Sequence, residues 1–156
     1  MWMIRKANNE DAQAIQQQLH QAYRPIKKQG FNMEATDVSI VAIRESLLQD
    51  EIFVLVNQQG WIQGTLRLKK RWDNVKMDHL GWFSISPELK GLGLGRKLIA
   101  YAEEYARERG REGIYLDTAK DHPWLPALYE KLGYQKIGEI RWPSQNFDAV
   151  QFEKQL

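Results

Sequence analysis

The order of apolar patterns along the 156 residues predicts a single α/β domain with about seven strands, arranged β-α-α-β-β-β-α-β-α-β-β. Apolar runs of strand length alternate with segments whose apolar residues recur at helical spacing. The stretch from Phe83 to Ile99 passes from an apolar strand through glycines at alternate positions into an amphipathic helix. A strand at Ile114-Tyr115-Leu116 follows that helix, and strand, crossover helix, strand defines a parallel pair. Hairpins elsewhere make the sheet mixed.

Met3 to Lys6 reads as the first strand, and Asn8 with Asp11 offers a capping-box helix start. Ile15, Leu19, Ala22 or Tyr23, and Ile26 then recur at helical spacing, and the helix is expected to end near Arg24-Pro25. Lys27 to Met33 has no clear period, and its Phe31 and Met33 either pack down or line a groove. A second helix is expected from about Thr36 to Gln49, on Ile40, Ile43 and Leu47.

Ile52 to Val56 is a continuous apolar strand, and the turn Asn57-Gln58-Gln59-Gly60 folds it into a hairpin. In the next strand Ile62, Gly64, Leu66 and Leu68 share a face predicted to be buried. Gln63, Thr65, Arg67 and Lys69 share one predicted to be wet. Met77 to Ile85 feeds the glycine loop, and strict alternation puts His79, Gly81, Phe83 and Ile85 together, with Asp78, Leu80, Trp82 and Ser84 opposite. The helix after the loop buries Leu94, Leu98, Ala102, Tyr105 and Ala106 and stops at Gly110. A helix is expected from about Trp124 to Leu132, with Pro126 in its first turn and Gly133 as its cap. Tyr134 to Trp142 forms a strand, and Val150, Phe152 and Leu156 alternate in the last one.

Composition removes several function classes. Apolar residues make up 43% and charged residues 27%, ordinary for a soluble globular domain. No apolar run approaches the length of a membrane span. The opening Met1 to Asn8 carries no extended apolar segment, so no signal peptide is expected and the location is expected to be cytoplasmic. The absence of cysteine excludes disulfides, thiolate metal sites and an acyl-cysteine intermediate. A net charge of +2, with Lys27-Lys28 and Lys69-Lys70-Arg71 short and far apart, describes a solvated surface better than a nucleic-acid interface.

The glycine loop has the makings of an anion site. Gly91, Gly93 and Gly95 allow close main-chain approach, and the helix behind them begins with unpaired N–H groups at the positive end of its dipole. A P-loop would need Gly-Lys followed by Ser or Thr, whereas Gly95 precedes Arg96-Lys97-Leu98. The dinucleotide fingerprint would need a glycine where Arg96 stands. A phosphate or pyrophosphate fits; a nucleotide triphosphatase or dehydrogenase does not.

Lys90-Gly91-Leu92-Gly93-Leu94-Gly95 resembles the coenzyme A signature of the GNAT N-acetyltransferase family, (Arg/Gln)-x-x-Gly-x-(Gly/Ala), with lysine in the first place. Leu128-Tyr129-Glu130-Lys131-Leu132-Gly133-Tyr134 is similar to that family's Leu-Tyr-x-Lys-x-Gly-(Phe/Tyr) segment. The element order also matches the family layout, so the resemblance covers nearly the whole chain, 1–156, and implies helices on both faces of the sheet.

The resemblance implies acetyl-CoA as cosubstrate, held in a splay between the strand ending at Ile85 and the one ending near Thr118. Phe83, Ser84 and Ile85, the loop residues Lys90, Gly91, Leu92, Gly93, Leu94 and Gly95, and Arg96 and Lys97 are the implied binding residues. His122, where the family often has asparagine, joins them. Tyr129 aligns with the family's general acid for the leaving sulfur. Full proton transfer from a phenol near 10 to a thiolate near 8.5 is uphill by roughly 2 kcal/mol, so a donated hydrogen bond is the expected form. A lysine-like amine is neutral only about one part in a thousand at neutral pH, roughly 4 kcal/mol, so a base matters. His79 is the candidate, with Asp78 and Asp73 behind it. His20, His79 and His122 lack metal-ligand spacing and no Gly-x-Ser-x-Gly elbow exists, so neither metal nor triad is expected.

The expected activity is transfer of acetyl to a primary amine of a small molecule or peptide by direct attack, with a homodimer compatible and no membrane or nucleic-acid partner. The alternatives are an acyl-CoA-binding regulator without turnover and a small nucleic-acid-binding module.

Overall fold

The computed structural model describes residues 1–156. Seven strands form one sheet: β1 (Met3–Lys6), β2 (Glu51–Val56), β3 (Ile62–Lys70), β4 (Met77–Ile85), β5 (Gly113–Ala119), β6 (Gln135–Ile140) and β7 (Ala149–Gln155). Their order is β1-β2-β3-β4-β5-β7-β6, and only β4 and β5 run parallel. The helices are α1 (Ala12–Lys28), α2 (Ile40–Gln49), α3 (Leu94–Glu108) and α4 (Leu125–Lys131).

α1 and α3 cover opposite faces of the central strands. From α1, Gln18 reaches Ser84 Oγ at 3.3 Å and the Tyr23 hydroxyl donates to the Phe83 carbonyl at 2.7 Å. From α3, Tyr101 and Tyr105 pack edge-on against Phe53 of β2. β2 is buried along nearly its whole length, as its continuous apolar run requires.

Two helix boundaries differ from the expectation. α1 continues through Pro25 to Lys28. Pro25 is exposed, so water can serve the carbonyl that loses its partner, and Tyr23 and Ile26 are buried on either side of it. α2 starts at Ile40, because Ser39 Oγ accepts from the Ala42 N–H at 3.0 Å, and Glu34–Asp37 forms a separate short 3-10 turn.

The expected wet face of β3 fails at its centre, although Lys69 at its end is exposed. Thr65 and Arg67 are buried beneath α1, where Thr65 Oγ1 lies 2.6 Å from Ser84 Oγ. A strand in the middle of a sheet with helices on both faces has no solvent side.

Glu103 of α3 joins α4 to the sheet. The Tyr134 hydroxyl donates to Glu103 at 2.9 Å, and Lys154 Nζ reaches Glu103 at 3.1 Å and the Leu132 carbonyl at 2.8 Å.

Candidate active site

The glycine loop is built to expose its main chain. Leu89 and Leu94 bury against Leu55 and pin the loop at both ends. Between them Gly91 and Gly93 take positive φ values of 85° and 74°, conformations that cost a side-chain-bearing residue roughly 1–2 kcal/mol. Gly93 is the N-cap of α3 and supplies no side-chain cap, so the first N–H groups of that helix remain for a ligand. Gly95 has a different task. A Cβ there would lie 3.1 Å from Phe83 Cζ and 3.4 Å from Ile85 Cγ1, so its absence lets α3 sit against β4.

β4 and β5 pair only at Met77↔Gly113, Asp78↔Ile114 and His79↔Tyr115. Past that point they diverge, and the backbone groups of both edges face a cleft instead of each other. A cavity of about 790 Å³ fills the divergence and runs from the glycine loop to α1 and the 33–35 segment.

A bulge in β4 lies on the wall of that cavity. The β3–β4 register shifts between Thr65↔Ser84 and Arg67↔Gly81, and Trp82 within the shift has a φ of 50°. Strict alternation fails there. Gly81 faces Arg67, while Phe83 and Ile85 face Gly95 of α3. His79 and Phe83 therefore lie on opposite sides of the sheet, contrary to the alternation expected from the sequence.

Of the sequence-predicted residues, Phe83, Ser84, Ile85, Lys90, Gly91, Gly93, Leu94, Gly95, Arg96, His79, His122 and Tyr129 all line the cavity. Leu92 and Lys97 do not; Leu92 is 55% exposed on the outer side of the loop. Lys90 Nζ sits 5.2 Å from the Trp124 ring centroid, linking the loop to the start of α4. His122 Nδ1 accepts from the Trp124 and Leu125 N–H groups at 3.2 and 3.1 Å. The imidazole thus caps α4 as an asparagine carbonyl would, with its proton on Nε2, and burial lowers its pKa.

Tyr129 is 5% exposed and lines the cleft, yet its hydroxyl has no protein hydrogen-bond partner. Burial pushes its pKa up, so the group stays a phenol and a donor. His79 leans on Tyr115 at 5.0 Å between centroids and has no hydrogen bond to the protein. Burial lowers its pKa and Asp117 opposes that only in part, so the imidazole is neutral and able to take a proton at neutral pH. Asp78 is ion-paired to Arg111 at 2.9 Å and does not line the cleft.

Arg67 is the charged lining residue that the sequence places on a wet face; Tyr23, Glu34 and Asp117 also line the cavity without having been singled out. The Arg67 guanidinium is held 3.8 Å from the Trp82 ring centroid. The available signal was topological: helices expected on both faces leave no wet face for a central strand. The far wall is tied by loops. Asn32 and Asn146 exchange backbone-to-side-chain bonds at 3.2 and 2.8 Å, and Trp142 Nε1 donates to Asp117 at 3.1 Å. Phe31 packs down on Phe147, while Met33 lines the cavity.

Residues 16–134 match the acetyltransferase (GNAT) family, and the chain belongs to that family. Among curated relatives, S-(2-succino)cysteine N-acetyltransferase of Bacillus subtilis is 29% identical over 86% of this chain and 85% of its own length. S-alkylcysteine N-acetyltransferase of the same organism is 28% identical over 85% and 78%. Among solved structures, the PaiA N-acetyltransferase of Thermoplasma acidophilum, in complex with coenzyme A, superposes with a TM-score of 0.83 at 15% identity over 100% of this chain and 99% of that one. The ribosomal-protein-S18-alanine N-acetyltransferase of Escherichia coli gives 0.80 at 18% identity over 99% and 94%. These likenesses bear on the fold.

Proposed function

We propose that this protein transfers an acetyl group from acetyl-CoA to the primary amine of a small molecule by direct attack. The observation that carries the reading is the uncapped N-terminus of α3 behind Gly91 and Gly93, opening into a cleft that also holds the free hydroxyl of Tyr129. Acetyl-CoA would supply an acetyl thioester, and the residues present fit it. The α3 N–H groups with Lys90 and Arg96 suit a diphosphate, and the unpaired edges of β4 and β5 suit the pantetheine amides.

In the transfer, a C–N bond forms between the acceptor nitrogen and the acetyl carbon while the C–S bond breaks. The amine loses a proton, for which His79 is the proposed acceptor, and the sulfur gains one as coenzyme A leaves. Tyr129 hydrogen-bonds that sulfur through its hydroxyl. The curated relatives support a small acceptor, since the S-substituted cysteines in their names each carry a primary amine. A cytoplasmic setting belongs to the same proposal; no helix is long and apolar enough to cross a membrane.

The test is a thiol-release screen with acetyl-CoA and a panel of amines, read together with the mass of the acetylated product. Acceptor-dependent thiol release with a matching product is expected. Acetyl-CoA binding without release for any amine would support a regulator that binds the coenzyme without turnover.

A further inference from the structure

Arg67 is a buried cation without a counter-ion. It is 8% exposed, forms no ion pair or hydrogen bond, and its Nε is fully buried without a partner. Glu34 and Asp50 favour its charge from a distance, and Tyr23, His79 and the Trp82 ring complete its surroundings. Trp82 Nε1 is a second buried donor without a partner, on the ring that Arg67 covers. Both residues line the cavity, on the side of the bulge that holds His79. Burying an unpaired charge is costly, so a chain that keeps one beside a cleft keeps it for something that enters the cleft.

A guanidinium is planar, permanently charged and matched to a carboxylate through two parallel N–H bonds. We infer that Arg67 docks a carboxylate of the acceptor, with Trp82 Nε1 as an auxiliary donor, so that the acceptor is an amino acid and not a simple amine or polyamine. The inference deepens the N-acetyltransferase reading and rests on it. Arg67 acts as a specificity residue: it anchors the acid end while the amine is presented on the His79 side of the cleft.

The test compares amino acids with analogues that lack the acid: phenylalanine with phenethylamine, leucine with isopentylamine, and S-methylcysteine with S-methylcysteamine, each also as its carboxamide. In the unaltered protein, kcat/KM for an accepted amino acid should exceed that of its analogues by about tenfold or more. Arg67→Met should erase the preference mainly through KM, and Arg67→Lys should retain part of it. Equal turnover of acids and analogues, or a preference that survives Arg67→Met, would overturn the inference.

Thermal unfolding separates this inference from the reading beneath it. Amino acids that raise the Tm of the protein but not of Arg67→Met support the carboxylate site even if no amine is acetylated, an outcome that sinks only the transferase reading. Neither turnover nor a Tm rise sinks the carboxylate site as well. Arg67→Met itself should unfold no earlier than the parent, because it removes an unpaired buried charge. Earlier unfolding with substrate preference intact would assign Arg67 a structural role; if Arg67→Met does not fold, Arg67→Gln, polar but uncharged, carries the same comparison.

Discussion

The Arg67 guanidinium lies 3.8 Å from the centroid of the Trp82 indole, and Trp82 is the one non-glycine residue with a positive φ. The bulge that strains Trp82, at about 1–3 kcal/mol, also turns His79 and Phe83 to opposite faces. One backbone irregularity therefore separates the half of β4 that packs against Gly95 of α3 from the half that faces Arg67.

Tyr129→Phe removes a hydroxyl that bonds to nothing in the protein, so folding should be unaffected. Turnover should fall about 10–100-fold while acetyl-CoA affinity stays within about twofold. Steady-state kinetics with calorimetry checks this, and unchanged turnover would remove Tyr129 from the chemistry.

Gly93 and Gly95 should fail differently. At Gly93 a Cβ meets nothing within 4 Å but the φ of 74° is unfavourable, so Gly93→Val should lose coenzyme binding with modest destabilisation, about 1–2 kcal/mol. At Gly95 the side chain would strike Phe83, so Gly95→Val should lower Tm by prying α3 from β4. Denaturation curves beside calorimetric titrations separate the two; a Gly93→Val protein with full affinity would contradict the loop's role.

As the proposed base, His79 should set an acid limb. Burial lowers its pKa, so the neutral, proton-accepting form persists at pH values below the ordinary histidine value near 6.5 and is lost only further down. His79→Gln should be most impaired near pH 6–7 and approach the parent as the amine deprotonates unaided in alkali. A pH-independent deficit in kcat would argue that His79 is not the base.

Asn146 ties the loop of Gln145, which lines the cavity, to the 30–32 segment through its exchange with Asn32 and its bond to the Gly30 carbonyl at 2.8 Å. Asn146→Ala should raise the acceptor KM several-fold and leave the acetyl-CoA KM near its parent value. Initial-rate measurements with each substrate varied in turn test this, and a shift confined to acetyl-CoA would reverse the assignment.

Much of this was legible in the sequence because it rests on local patterns. The glycine loop, its flanking strand and helix, and the Leu-Tyr segment of α4 are contiguous stretches whose spacing dictates their structure. The unread parts depend on partners distant in sequence. The bulge at Trp82 leaves no mark in an alternating pattern, so His79 and Phe83 were placed together. Arg67 looked solvated because charge on alternate strand positions usually is, and only the covering helix made it buried. Pro25 looked like a helix end because propensity says so, whereas the burial of Tyr23 and Ile26 carries the helix through.

The cleft between β4 and β5, headed by the glycine loop, is the proposed acetyl-CoA site. Calorimetric titration of the intact protein with acetyl-CoA, with dephospho-CoA and ATP as competitors, tests it most directly. One saturable site is expected, which ATP does not displace and Gly93→Val abolishes. Absence of heat with acetyl-CoA, or equal competition by ATP, would contradict it.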